Sequence, residues 1–468
     1  MSVTKKEKIN FTIGMPEKVS AVIVLAVMMF TMFYADITVT ARFSMTFLDS
    51  LFDGRFASFY INALESGIAP EGAVYDIGIY IVFAIWGLPV WILNKIFSID
   101  VMSVGCLLWF KFLLIFFTMG TILILKKIAL RLGFEDRVSQ YICYLSGLSL
   151  LLVFPVFVAA QYDIVPVFFM LYGILGWLNQ DRRKCLFGFS IAFTMKPIAI
   201  LTYGLLLLLE EKKIRYIVLK AVISMIPVLI CKGIYLLNPL NSDSNNIFLA
   251  GAITSLLKVS IPAGNGGFSL FFLVGAVIYL AAYLQKTTGD MEIDGKKFIW
   301  LAFLLWADFC LFLEVAPYWI VYLAPFLILV LFYNEQSINT SLLLDLVVNA
   351  GIIFSMIVSF SWVYGGEKTF SYLILRPVYN LINPDDIPTV CGTLRRLQLT
   401  MFQPMVNSVI IAAIIAIAYL SYKGIKKNRD TEEVLIENWH IRIRIIVLYG
   451  WTVLCLLLLL AGGLSLDF

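Results

Sequence analysis

Residues 102–125 read MSVGCLLWFKFLLIFFTMGTILIL and run directly into Lys126-Lys127. That stretch carries a single charge, Lys111, and as a helix rising 1.5 Å per residue it is long enough to cross a hydrocarbon core of about 30 Å. It is not an isolated segment, because apolar character persists from residue 19 to residue 463 with only short polar breaks. Of the 468 residues, 61% are hydrophobic, 15% aromatic and 14% charged, against roughly 25% charged in a soluble domain. Mean hydropathy is +0.92. A soluble globular protein and a single-pass anchor are both excluded. The sequence predicts an all-α, polytopic membrane protein.

Hydropathy and length give about 13 spans, the clearest at 19–36, 102–125, 139–158, 216–237, 268–285, 297–314, 342–363, 404–422 and 443–462. Lysine and arginine gather at the N-terminus, at Lys126–Arg137, Arg182–Lys184, Lys212–Lys220, Lys286–Lys297 and Lys423–Arg444. By the positive-inside rule these clusters are cytoplasmic, with the N-terminus inside and the C-terminus outside. The first span lacks a small-residue cleavage site and reads as a retained helix. Of the seven cysteines only Cys391 falls in an outer loop, which cannot make a disulfide framework. There is no nucleic-acid motif. Parity then matters: Asp36 ends the first span outside, and Lys126 must be inside, yet two apolar segments lie between. The second, 102–125, is the better span, so 74–96 is expected to be an outer juxtamembrane helix interrupted by Pro89. Before it, Phe43, Phe47, Leu51 and Leu48, Phe52, Phe56 recur at helical spacing opposite Arg42, Thr46, Asp49 and Asp53. That pattern predicts an amphipathic helix on the membrane surface.

The segment 185–209, CLFGFSIAFTMKPIAILTYGLLLLL, lies between two cytoplasmic clusters and must go up and return. Each limb of about 12 residues spans about 18 Å, too short for the bilayer core. Lys196-Pro197 is therefore the expected apex of a short hairpin, and short broken helices in membranes line cavities. A kinked helix packed by its neighbours is the alternative reading of Pro197. A lysine near the membrane centre costs about 2.5–3.5 kcal/mol on insertion scales and suggests an anionic ligand group. Lys111, Lys232, Asp308 and Glu314 are the other candidate intramembrane charges.

The one histidine, His440, lies on the cytoplasmic side, so an outer-face general base must be a carboxylate. Asp36, Asp49, Asp53, Glu65, Asp76, Asp163 and Glu314 are available. Asp36 is also readable as a solvated helix terminus on the unfavourable side of the dipole. Asp163 is equally readable as the N-cap of a span at 164–179, and Asp49 and Asp53 as the polar face of the surface helix.

In order, the residues are a span ending in Asp36, a long outer loop, Tyr75-Asp76 with Tyr80, a span ending in two lysines, Gln161-Tyr162-Asp163, and the Lys196-Pro197 hairpin. Glu314-Val315-Ala316-Pro317-Tyr318-Trp319 follows, with Ala324-Pro325 behind it. This order resembles the C-type (GT-C) integral-membrane glycosyltransferases, particularly small bacterial, mannosyltransferase-like members, over roughly residues 19–330. Ala160 stands where that family has a glycine, Tyr75-Asp76 where Tyr-Pro-Pro is common, and no histidine accompanies Pro317-Tyr318. The consecutive acidic pair that some members use for a divalent metal is missing beside Asp36.

The resemblance implies a catalytic transmembrane module at 1–330, followed by C-terminal helices at 331–468 with an outer loop at 364–402. It implies a plasma-membrane enzyme that moves a sugar from a polyprenyl-phosphate donor, held in the lipid bilayer, to a hydroxyl of a glycan or glycolipid acceptor on the outer face. The reaction would be a single inverting displacement, with Asp36 as base and Lys196 and Arg42 on the donor phosphate. Gln161, Tyr162, Asp163, Asp76, Tyr75, Glu314, Tyr318 and Trp319 would contact substrate, and no cofactor is called for. Removal of Lys196 is expected to stop transfer and leave folding intact. Tyr34 and Tyr80 are further aromatics for stacking on sugars, with the interfacial aromatic belt as the plainer reading. The rival classes are a lipid-linked glycan polymerase or ligase, using Arg376, Arg395 and Arg396 of the late loop, and a flippase or transporter. The latter would show internal repeats, and none is evident.

Overall fold

The computed structural model describes residues 9–11, 13–32, 35–236, 259–263, 266–360, 388–426 and 434–463. The architecture is all-α. The strand pairings among the described residues are a parallel contact of Ile9–Asn10 with Val434–Leu435 and a short hairpin of Ser260–Ala263 with Gly266–Ser269.

Helix α1 (Met15–Thr31) is followed after a break by α2 (Ala35–Phe52), α3 (Phe59–Glu65), α4 (Ile77–Phe97) and α5 (Val104–Arg131). The opening stretch is the body of α5. Along α2 and α4, contacts rise together: Phe43 meets Tyr80 with ring centroids 6.2 Å apart, and about two turns on Asp49 accepts from the Trp91 indole at 2.7 Å and pairs with Lys95 at 2.8 Å. The two helices therefore run parallel. A short turn then reverses the chain, and Trp86 and Trp109 each donate the indole N–H to the other's carbonyl at 2.8 Å. Helices α4 and α5 are thus antiparallel. Pro89 sits inside an unbroken α4, not at an interruption, and α4 is itself long and apolar enough to cross a membrane, where an outer juxtamembrane helix was expected. The amphipathic helix expected near 42–56 is the second half of α2. Its apolar face, however, packs on protein: Phe43, Phe47 and Leu48 are buried, and Phe47 meets the rings of Phe56 and Phe59 at 5.6 and 5.4 Å. Sequence periodicity reports that a face is apolar, not what covers it. Leu51 and Phe52 at its end stay exposed.

Helix α6 (Asp136–Leu148) continues into α7 (Leu150–Val153) and a single π-helical turn, Phe154–Val158, bent from α6 by 53°. The break is stitched by Asn349, whose side-chain oxygen accepts from Ser149 Oγ at 3.1 Å and from the Leu151 N–H at 3.3 Å. Helices α8 (Ile164–Leu178) and α9 (Arg182–Met195) pack closely, because Gly188 lies against the Gly173 backbone where a Cβ would come within 2.5 Å. After Lys196 a short 3₁₀ turn leads into α10 (Ile200–Glu210). Tyr203 on α10 meets Phe189 and Phe193 on α9, centroids 4.7 and 5.8 Å away, so the chain folds back at Lys196-Pro197 as a hairpin and not as a kinked helix.

The chain then continues through α11 (Ile214–Leu236), α12 (Leu270–Leu284) and α13 (Met291–Phe312). After the 3₁₀ turn Pro317–Tyr322 come α14 (Ala324–Val330), α15 (Ile338–Ser359), α16 (Val390–Arg396), α17 (Gln403–Lys426) and α18 (Trp439–Gly463). Helix α18 returns to α1 through Arg442–Glu17 at 2.7 Å and a hydrogen bond from Tyr449 to the Ser20 carbonyl at 3.1 Å. It is also pinned to α15 by a fully buried Arg444–Asp345 pair.

Among the described residues six helices are long and apolar enough to cross a membrane, or seven if the bent α6–α7 pair counts as one span. The protein is thus a polytopic helical membrane protein with fewer full-length apolar helices among the described residues than the 13 expected. Hydropathy also scores shorter apolar helices as spans, such as Ile164–Leu178, Leu270–Leu284 and Pro317–Val330. Residues 364–387 of the expected late loop, Arg376 among them, lie outside the described residues, as does Tyr34.

Candidate functional site

Helix α1 ends at Thr31 and α2 restarts at Ala35, so Asp36 sits in the first turn of α2. It does not terminate the first helix, as the hydropathy run suggested. The break reverses the electrostatics, placing the carboxylate at the positive end of the α2 dipole, the favourable side. Asp36 Oδ2 accepts from the Gln161 side-chain amide, and the Tyr75 hydroxyl lies 3.5 Å away. Burial raises the Asp36 pKa from its ordinary value to about 6, and the nearby Asp163 carboxylate adds to the shift. Lys196 and the Tyr75 hydroxyl oppose it. Arg42, expected to lower this pKa, lies further along α2. It makes no ion pair with Asp36 among the described residues, so it does not join this cluster.

Gln161 is delivered by a strained turn. The Ala159 N–H closes the π-helical turn on the Phe154 carbonyl at 2.9 Å, the Gln161 N–H donates to the Pro155 carbonyl at 2.9 Å just beyond it, and Ala160 has φ +52°. A left-handed conformation costs a non-glycine residue about 1–2 kcal/mol. Glycine is therefore the residue this backbone would favour at position 160. Tyr162 and Asp163 follow, both buried in the bundle.

Proline disfavours the helical region for the residue before it, and Lys196 is extended, with φ −152° and ψ 100°. Its Nζ lies 2.9 Å from Asp163 Oδ1 and 3.4 Å from the Tyr162 hydroxyl. Three rings surround it, with centroids at 4.6 Å (Trp319), 5.0 Å (Tyr162) and 5.9 Å (Tyr318). Desolvated cation–π contacts of this kind are worth up to about 2 kcal/mol. The Trp319 indole N–H is buried and has no hydrogen-bond partner. Asp163, 0% exposed, has Lys196 as its one ion-pair partner among the described residues, and burial pushes its pKa up while the ammonium opposes.

Tyr75 is held on three sides: Tyr60 donates to its carbonyl at 2.9 Å, its N–H reaches the Tyr80 hydroxyl at 3.3 Å, and its ring meets Tyr162 edge-on at 4.7 Å. Asp76, next in sequence, pairs with Lys232 of α11 at 3.1 Å. Two residues later, Gly78 touches the Thr194 backbone where a Cβ would lie 2.5 Å from a carbonyl oxygen. That contact sets the distance between the Tyr75-Asp76 turn and the Lys196 break.

Asp36, Tyr75, Gln161, Tyr162, Asp163, Lys196, Tyr318 and Trp319 are thus brought together, with Asp76 adjoining. Glu314 precedes the turn that carries Tyr318 and Trp319 and is exposed. Asp49, Asp53 and Glu65 lie elsewhere, lining a polar cavity of about 280 Å³ at the far end of α2. Sequence reasoning missed Tyr60 and Lys232 as supports; Lys232 announced itself as a charge in an apolar run, without its partner. No group of three or more His, Cys, Asp or Glu side chains converges among the described residues. At the site itself, Lys196 occupies the place on Asp163 that a cation would take. No family model matches this chain, and no curated protein or solved structure matches it either.

Proposed function

We propose that the protein is an integral-membrane glycosyltransferase of the GT-C type, taking a sugar from a polyprenyl-phosphate donor on the outer face. The observation that carries the reading is the meeting of a half-buried carboxylate, Asp36, with a caged lysine, Lys196, across Gln161-Tyr162-Asp163. The charge distribution of the loops supports an outward-facing site, and a lipid-linked donor follows because nucleotide sugars are not found outside the cell. The α9–α10 hairpin and its neighbours would form the apolar groove for the prenyl chain.

In the proposed reaction the acceptor hydroxyl loses its proton to Asp36 while its oxygen bonds to the anomeric carbon. The bond from that carbon to the phosphate oxygen breaks, and its electron pair leaves with the phosphate. Lys196 and the free Trp319 N–H stabilise the phosphate charge as it develops, usually the larger contribution, while a positioned base supplies about 10²–10⁴ in rate. One displacement inverts the anomeric centre and needs no second carboxylate as nucleophile. Gln161 and Tyr75 orient Asp36, and the rings around Lys196 offer faces to the sugar.

The test is labelling by a photoactivatable polyprenyl phosphate in proteoliposomes, with cross-linked peptides read by mass spectrometry. Labels are expected on 159–163, 194–200 and 317–322, and are expected to disappear in Lys196→Met/Asp163→Asn. Labelling spread evenly over the apolar surface, unchanged in that variant, would overturn the proposal.

A further inference from the structure

Lys111 is the one charge in the opening stretch of α5, and it is fully buried. Its Nζ reaches four main-chain carbonyls: Met28 at 3.0 Å, Met29 at 2.9 Å, Met32, and Phe157 at 2.9 Å. Three of these belong to the end of α1, where the dipole favours a cation, and the Met28 carbonyl also accepts the Met32 N–H at 3.1 Å. The fourth is different. Phe157 lies in the π-helical turn that follows α7, on another part of the chain. A plain helix cap would touch α1 alone.

The two segments that Lys111 ties together are those that deliver the site. Met32 is followed four residues later by Asp36, and Phe157 four residues later by Gln161. Asp36 and Gln161 then meet each other. The junction is closed at two points, by Lys111 on one side and by the Asp36–Gln161 contact on the other. Lys111 is itself held in place by α5, where the neighbouring Phe110 is buried, stacks on Phe83 at 5.9 Å and fills the space beside Gly87.

We propose that Lys111 is a positioning residue: by joining the end of α1 to the turn before Gln161, it fixes Asp36 against Gln161. Its consequence for catalysis rests on the glycosyltransferase reading; its consequence for geometry does not. A misplacement of about 1 Å at a reacting group costs on the order of a hundredfold in rate.

The experiment places cysteines at both ends of the contact, Asp36→Cys and Gln161→Cys, in the full-length protein. A short bis-methanethiosulfonate reagent is added, and the 36–161 cross-linked peptide is quantified by mass spectrometry. With Lys111 intact the cross-link is expected to form. With Lys111→Met, in protein that still elutes as a single folded peak, it is expected to fall severalfold. In the chain without the added cysteines, Lys111→Met is expected to lower sugar transfer on the order of a hundredfold and to displace its pH midpoint, whereas Lys111→Gln, which keeps two N–H donors, retains part of both. Wild-type cross-linking in folded Lys111→Met would reduce Lys111 to a cap of α1 and overturn the proposal. If Lys111→Met does not fold, Lys111→Gln carries the same comparison. If neither folds, Lys111 serves the whole bundle and not this junction, and the proposal fails as well. A Lys111-dependent cross-link in a protein that transfers no sugar would uphold the geometry and sink the glycosyltransferase reading separately.

Discussion

Asp36 makes the site testable through pH alone. With a pKa of about 6, the carboxylate is about nine-tenths ionised at pH 7 and about one-tenth ionised at pH 5. A general base works only when ionised, so the sign is fixed: activity falls as pH drops through about 6, and the loss between pH 7 and pH 5 is about tenfold. A carboxylate at its ordinary value of about 3.9 would stay more than about nine-tenths ionised at pH 5 and show almost no loss. The structure also says how the midpoint moves. The Tyr75 hydroxyl helps hold the pKa down, so Tyr75→Phe shifts the midpoint upward; Asp163 helps push it up, so Asp163→Asn shifts it downward. The assay is kcat/KM for transfer of radiolabelled sugar from polyprenyl-phosphate donors in proteoliposomes between pH 5 and 8. A midpoint near 4, or one that ignores both substitutions, would refute Asp36 as a partly buried base.

The Lys196–Asp163 pair leads to a stability prediction. Because Asp163 is 0% exposed, Lys196→Met strands a buried carboxylate and is expected to cost about 3–5 kcal/mol, contrary to the expectation from sequence that folding would be untouched. Adding Asp163→Asn is expected to restore thermal stability in detergent without restoring transfer; a Lys196→Met single variant as stable as wild type would count against the pair. Gly78→Ala would drive a methyl into the Thr194 backbone and is expected to cost about 1–3 kcal/mol while lowering kcat, and normal kcat in this variant would mean that the α4–α9 approach does not set the site. Ala160→Gly relieves a φ of +52° at the loss of one buried methyl of about 0.8 kcal/mol, so its melting temperature is expected to stay near that of wild type with transfer intact. Ala160→Val places a β-branched residue in a conformation it rarely adopts and is expected to abolish both.

Much of the cluster was legible because it is written in residues that are costly in a membrane. Lys196 beside Pro197, Asp163 between two apolar runs and Asp36 after a third each contradict their surroundings, and the fold brings all three together. The hairpin at Lys196 was legible from length, since two limbs of that size cannot cross. What the sequence hid was pairing. An apolar face on α2 says nothing about whether lipid or Phe59 will cover it. The hydropathy run through Asp36 gave no sign of the break before Ala35, which moves the carboxylate from the end of one helix to the start of the next. Ala160 gave no sign in the sequence of its left-handed backbone conformation, φ +52°, which glycine adopts without strain. Lys111 and Lys232 were visible as charges within apolar runs, but their partners, main-chain carbonyls and Asp76, are a matter of three-dimensional packing.

The most direct test is transfer itself: purified protein in proteoliposomes, radiolabelled polyprenyl-phosphate sugars, and wild type beside Asp36→Asn, which keeps the side chain's shape and cannot take the proton. Wild type is expected to move label into an acceptor with inversion at the anomeric carbon. Asp36→Asn is expected to be slower by at least about a hundredfold while still binding donor. Equal rates in the two proteins, or no release of polyprenyl phosphate by wild type from any donor, would contradict the assignment of Asp36 and Lys196 as a sugar-transfer site.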